Sequence, residues 1–127
     1  MARILIAEDE DAVRSLIARA LKQDGHDVMT ASDGAQALDV LLRERGAFEL
    51  LLTDVRMPVM DGIALTHAVA RKHPAVTILL MTGYADQRER AQSLDALIHD
   101  VIAKPFSLGT MRRAVSEALR ASRAAAN

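Results

Sequence analysis

The chain of 127 residues carries a formal net charge of -1, is 50% apolar and contains no cysteine. That excludes a disulfide framework, thiolate chemistry and a cysteine-based zinc site, and gives no global attraction to nucleic acid or an anionic membrane. The start turns acidic by Glu8 and no apolar run approaches membrane-spanning length, so the expectation is a cytoplasmic protein that partners neither membrane nor nucleic acid.

In chain order, short apolar runs alternate with longer amphipathic segments, the pattern of βαβ units around a parallel sheet. The runs at 3–7, 27–31, 49–53, 76–81 and 100–104 read as strands, several almost continuously apolar as strands covered on both faces should be. With Phe48, Tyr84 and Phe106 the sole aromatics, the interior must be aliphatic. After the first strand, Val13, Leu16, Ile17, Ala20 and Leu21 recur at helical spacing and Gly25 closes the helix. A second helix follows Ser32, with Leu38, Leu41 and Leu42 expected to face inward and Gly46 at its end. A third starts near Asp61 and stops before Pro74. The segment 85–94 has few and small apolar positions, which predicts a helix weakly anchored to the sheet and able to move. The last helix begins at a Ser107 cap, with Leu108, Met111, Val115, Ala118 and Leu119 on one face. Residues 1–123 thus read as one domain with no output domain, and 124–127 as a frayed tail.

Polar residues stand where the strands end. The first strand delivers Glu8 and Asp9, the third Asp54, the fourth Thr82 and the fifth Lys104. In an open parallel sheet the carboxyl ends of the strands form the ligand crevice, so these residues converge on one rim. A single lysine cannot neutralise three carboxylates, and the hard oxygen donors favour Mg²⁺. A cation, an ammonium and a hydroxyl around one carboxylate suit phosphoryl transfer, with Asp54 as the nucleophile that forms an acyl phosphate.

Four stretches, "ILIAEDE", "LLTDVRMPVMDG", "LLMTGYAD" and "VIAKPF", resemble the receiver domain of two-component response regulators, in that family's order and over residues 3 to 121. The resemblance implies a doubly wound, flavodoxin-like (CheY-like) α/β fold with strand order 2-1-3-4-5. It implies phosphorylation of Asp54 by a histidine kinase or histidine phosphotransfer protein, and Mg²⁺ held by Asp9, Asp54 and the backbone carbonyl of Arg56, with Glu8 acting through a metal-bound water. Thr82 and Lys104 would bind phosphoryl oxygens, the Lys104–Pro105 bond would be cis, and Pro58 and Gly62 would shape the loop after the nucleophile. Such a chain is a phosphoacceptor with slow self-dephosphorylation rather than an enzyme. A haloacid-dehalogenase-type phosphatase would need a second Asp where Arg56 stands.

One departure concerns the position where the family carries an aromatic switch residue, which here is Val101. Tyr84 can take over part of that role or cover the phosphoryl site, and Arg56 and Tyr84 occupy the variable positions that tune phosphoryl lifetime. The stretch from Asp61 to Phe106 is similar to the single-domain CpdR-type regulators of alphaproteobacteria. That likeness implies a phosphorylation-controlled adaptor of the ClpXP protease with ClpX as a partner, active when unphosphorylated; a monomer and a phosphorylation-dependent dimer both stay open. A phosphorelay shuttle that passes its phosphoryl group to a histidine stays open beside it. The expected output face comprises the 85–94 helix, the fifth strand and the last helix, with Asp86, Arg88, Glu89 and Arg90 as a solvated face. Arg112, Arg113, Arg120 and Arg123 make the last helix locally basic without aromatic interleaving, and His26, His67, His73 and His99 show no ligand spacing.

Overall fold

The computed structural model describes residues 1–83 and 85–126, without the side chains of 85–88 and 126. Five strands, β1 (Arg3–Ala7), β2 (Asp27–Ala31), β3 (Leu50–Asp54), β4 (Thr77–Thr82) and β5 (Asp100–Ala103), form one parallel sheet in the order β2-β1-β3-β4-β5. The helices α1 (Asp11–Gln23), α2 (Gly34–Arg43), α3 (Gly62–Lys72), α4 (Ala85–Gln92) and α5 (Leu108–Ala126) cover it. The third and fourth strands lie one residue later than their apolar runs predict. Asp54 and Thr82 belong to the sheet because the parallel ladder pairs Asp54 with Met81 and Thr82 with Ala103, whatever their polarity.

Side chains alternate across the sheet and split the aliphatic residues into two cores. Ile4, Ile6, Leu50, Leu52, Leu79 and Met81 meet α1 and α5, whereas Leu5, Leu51, Ile78 and Leu80 meet α2, α3 and α4. α4 meets the core through Ala91 and, just past its end, Leu94, both buried. Asp86 and Arg88 of the expected solvated face have side chains outside the described residues. Two expected core residues are corrected. Leu42 is 73% exposed and Leu16 is 51% exposed, since each extends its helix's apolar stripe beyond the arc that the sheet can cover.

Local chemistry fixes the helix ends. Asp33 and Asp61 accept hydrogen bonds from the backbone N–H groups of Gln36 and Ala64, and Ser107 accepts from that of Thr110. The second cap is one residue later than the Ser32 start expected. At the end of α1, Gly25 takes φ +90, while its N–H and that of His26 reach the carbonyls of Lys22 and Leu21, a Schellman closure. α2 closes in the same way with Arg45, rather than Gly46, in the first left-handed position.

At the amino end of the sheet, His26 Nδ1 accepts the Ala2 N–H at 3.2 Å. Burial and the nearby α-amino group lower its pKa below 6.5. A depressed histidine binds fewer protons folded than unfolded, so its stabilising contribution is present above pH 6.5 and is lost as pH falls through the folded value. Urea unfolding should therefore show a smaller stability loss between neutral pH and pH 5 in His26→Gln than in the parent chain; equal losses would contradict this role.

Candidate functional site

Glu8 and Asp9 follow β1, Asp54 ends β3, Thr82 ends β4 and Lys104 follows β5, so strand order places them on one rim. One carboxylate oxygen from each of Glu8, Asp9 and Asp54 lies within 4.8 Å of the others. Glu8 is fully buried and Asp54 only 6% exposed, whereas Asp9 stands at the open edge. Lys104 Nζ bridges the two buried carboxylates, 2.5 Å from Glu8 Oε1 and 2.9 Å from Asp54 Oδ2. The other Glu8 oxygen accepts the Glu10 N–H at 3.2 Å.

Burial works against the Lys104 charge, but hydrogen bonds to Glu8 and Asp54 outweigh it and raise its pKa. Partial desolvation, reinforced by the hydrogen bond and charge of Glu8, raises that of Asp9. One ammonium against three carboxylates leaves an excess of negative charge. Oxygen donors alone, close enough to share one ion, suit a hard divalent cation such as Mg²⁺.

The loop after Asp54 is held by backbone packing. The Gly62 N–H donates to the Val55 carbonyl at 2.7 Å, and a Cβ at Gly62 would lie 2.0 Å from the Asp54 carbonyl oxygen. Asp61, the α3 cap, also accepts from Arg90 Nη2 at 2.9 Å, tying the loop to α4. Burial opposes its charge, yet the Ala64 N–H and the Arg90 guanidinium hold its pKa below the usual carboxylate value. Sequence reasoning missed this tie, because nothing in the spacing of Asp61 and Arg90 announces that α4 crosses the α3 cap.

An open cleft of about 610 Å³ leads to Asp54. Asp9, Arg56 and Lys104 line its polar side, and Val13, Leu16, Phe106 and Leu108 its apolar side. The exposure of Leu16 thus belongs to this cleft. Thr82 is buried at its strand end, and the Lys104–Pro105 peptide is cis. Val101 is half-buried on β5 and packs against the α2, α3 and α4 core. Tyr84 lies outside the described residues. No helix among the described residues is long and apolar enough to cross a membrane.

Residues 4–116 match the family model described as "Response regulator receiver domain". Over 119 residues the chain is 37% identical to sensor kinase CckA of Brucella abortus, covering 93% of this chain and 12% of that protein. It is 33% identical to sporulation initiation phosphotransferase F of Bacillus subtilis, covering 92% of this chain and 93% of that one. The crystal structure of response regulator protein TrrA from Thermotoga maritima, in complex with Mg²⁺ and BeF, superposes with a TM-score of 0.81 at 25% identity, covering 93% of this chain and 99% of that one.

Proposed function

The chain belongs to the response regulator receiver domain family, and from that premise we propose that Asp54 accepts a phosphoryl group from a phosphohistidine on a kinase or phosphotransfer protein. The observation that carries this is the buried carboxylate of Asp54, bridged by Lys104 and grouped with Glu8 and Asp9 at the mouth of an open cleft. A carboxylate oxygen of Asp54 bonds to phosphorus as the donor's N–P bond breaks, and the electron pair returns to the imidazole. Lys104 turns from Asp54 to a phosphoryl oxygen, and Thr82 donates its hydroxyl to another. Asp9, Asp54 and the Arg56 carbonyl would hold Mg²⁺, with Glu8 reached through water. When bound, the ion offsets charge on the carboxylates and the phosphoryl oxygens. Arg56 and Tyr84 tune the lifetime of the acyl phosphate.

The donor docks on the apolar side of the cleft, where Leu16 offers a half-exposed side chain beside the nucleophile. Leu16→Glu should slow transfer from a phosphorylated histidine protein by about tenfold or more and leave phosphorylation by acetyl phosphate unchanged. Equal effects on both donors would place the defect in the chemistry rather than in docking.

The output is a protein contact made by α4, β5 and α5, in a cytoplasmic regulator formed by residues 1–123. The likeness of Asp61 to Phe106 to CpdR-type regulators supports an adaptor of ClpXP that phosphorylation silences. A second reading, a relay shuttle, is favoured by the match over 93% of sporulation initiation phosphotransferase F. Capture from lysate with Mg²⁺, with and without beryllofluoride, separates them. ClpX held only without beryllofluoride, and in both conditions by Asp54→Ala, supports the adaptor. Labelled phosphate recovered on a partner histidine, with no ClpX captured, supports the shuttle and overturns the adaptor.

A further inference from the structure

The basic face of α5 plays no part in phosphoryl transfer. Arg112, Arg113, Arg120 and Arg123 border a recess of about 450 Å³ that continues to Asp24 at the end of α1 and to His26 before β2, with Val115 and Leu119 also in its lining. These residues are spaced so that Arg112, Ser116, Arg120 and Arg123 share one side of the helix. Four guanidiniums meet two carboxylates. Arg112 Nε is 3.1 Å from Asp24, and Arg112 also reaches Gln23 and the Ala20 carbonyl, while Arg123 is 3.5 Å from Glu49. Arg113 and Arg120 are exposed and pair with no carboxylate among the described residues. Positive charge is therefore in local excess here, on a chain whose net charge is -1.

We propose that this recess docks an acidic segment of a partner protein, and that it does so whatever the state of Asp54. Arg113 and Arg120 lie seven residues apart, about 10 Å along the helix, which matches carboxylates three residues apart on a polyproline II-type peptide, where side chains return to one side every three residues, about 9 Å on. Each guanidinium can take a carboxylate bidentately. The apolar lining from Val115 and Leu119 suits an interleaved aliphatic side chain. Two unpaired arginines and no aromatic in the lining fit a short acidic peptide better than a phosphate backbone, whose binding grows with many neutralised charges and with stacking. The recess runs from Arg112 and Arg113, one turn past Leu108 of the phosphoacceptor cleft, to His26 at the amino end of the sheet. α5 also belongs to the output face, but the recess takes none of its lining from α4 or β5; it thus provides a constant tether and does not depend on the adaptor or the shuttle being correct.

The test uses the full chain and a fluorescein-labelled peptide of repeated Glu-Ser-Leu, read by anisotropy, with a single-stranded DNA of matched length and charge as the rival. Saturable peptide binding is expected, weakened about tenfold or more by the double charge reversal Arg113→Glu, Arg120→Glu. It should be unchanged by beryllofluoride with Mg²⁺. The double reversal Arg43→Glu, Arg71→Glu changes net charge equally on the α2 and α3 side, and should weaken binding far less. No saturable binding, equal loss in both double variants, sensitivity to beryllofluoride, or tighter binding of the DNA would each overturn the proposal.

Discussion

Replacing Lys104 with Met is expected to cost about 3 kcal/mol of folding stability in Mg²⁺-free buffer, because a buried carboxylate stripped of its partner is strongly destabilising. Glu8 is fully buried and Lys104 is its ion-pair partner, while Asp54 loses the same ammonium. A loss of that size is a large share of a small domain's typical margin of about 5–15 kcal/mol. The pair's contribution is complete at neutral pH. Since the folded pKa of Lys104 is raised, the ammonium's part in it is lost on the alkaline side as pH climbs above 10.5 and through the folded value. Mg²⁺ should restore part of the deficit, so the ion raises the Tm of Lys104→Met more than that of the parent chain. Urea and thermal unfolding with and without Mg²⁺ measure both effects. Unchanged stability, or no larger response to Mg²⁺, would show that Lys104 does not hold the carboxylates' charge.

Gly62→Ala should be nearly as damaging, for a different reason. The added Cβ would meet the Asp54 carbonyl oxygen at 2.0 Å and the Val55 Cα at 2.9 Å, so backbone rather than a flexible side chain must yield. Overpacking of this kind costs about 1–3 kcal/mol, and the strand end carrying the nucleophile is what moves. We expect slower phosphorylation by acetyl phosphate together with a lower urea midpoint. A variant with both properties of the parent would mean that the loop adjusts without displacing Asp54.

The sheet was legible because its strands are covered on both faces. Ile4, Leu5 and Ile6 are all fully buried, and a strand so enclosed leaves an uninterrupted apolar run in the sequence. The rim followed from topology, since parallel strands deliver their last residues to one edge. Contacts that depend on how elements cross were not legible. Arg3 binds Asp27 and Glu44 and lies 4.6 Å from the Phe48 ring centroid, a cluster that no local period encodes. The Glu8 to Lys104 bridge spans 96 residues of chain and exists only because β1 and β5 end on the same rim. Leu16 and Leu42 misled for a plain reason: helical spacing identifies an apolar stripe, while the sheet's width decides how much of it is covered.

The residue that carries the phosphoryl group is what most needs measuring. The chain should be phosphorylated with acetyl phosphate and Mg²⁺, reduced with borohydride, and mapped by peptide mass spectrometry, since reduction of an acyl phosphate converts the aspartate that bore it to homoserine. Homoserine at Asp54 alone, and none after Asp54→Ala, is the expected result. Homoserine at Asp9, or phosphate held on a histidine with Asp54 unmodified, would contradict the assignment of Asp54 as the phosphoacceptor.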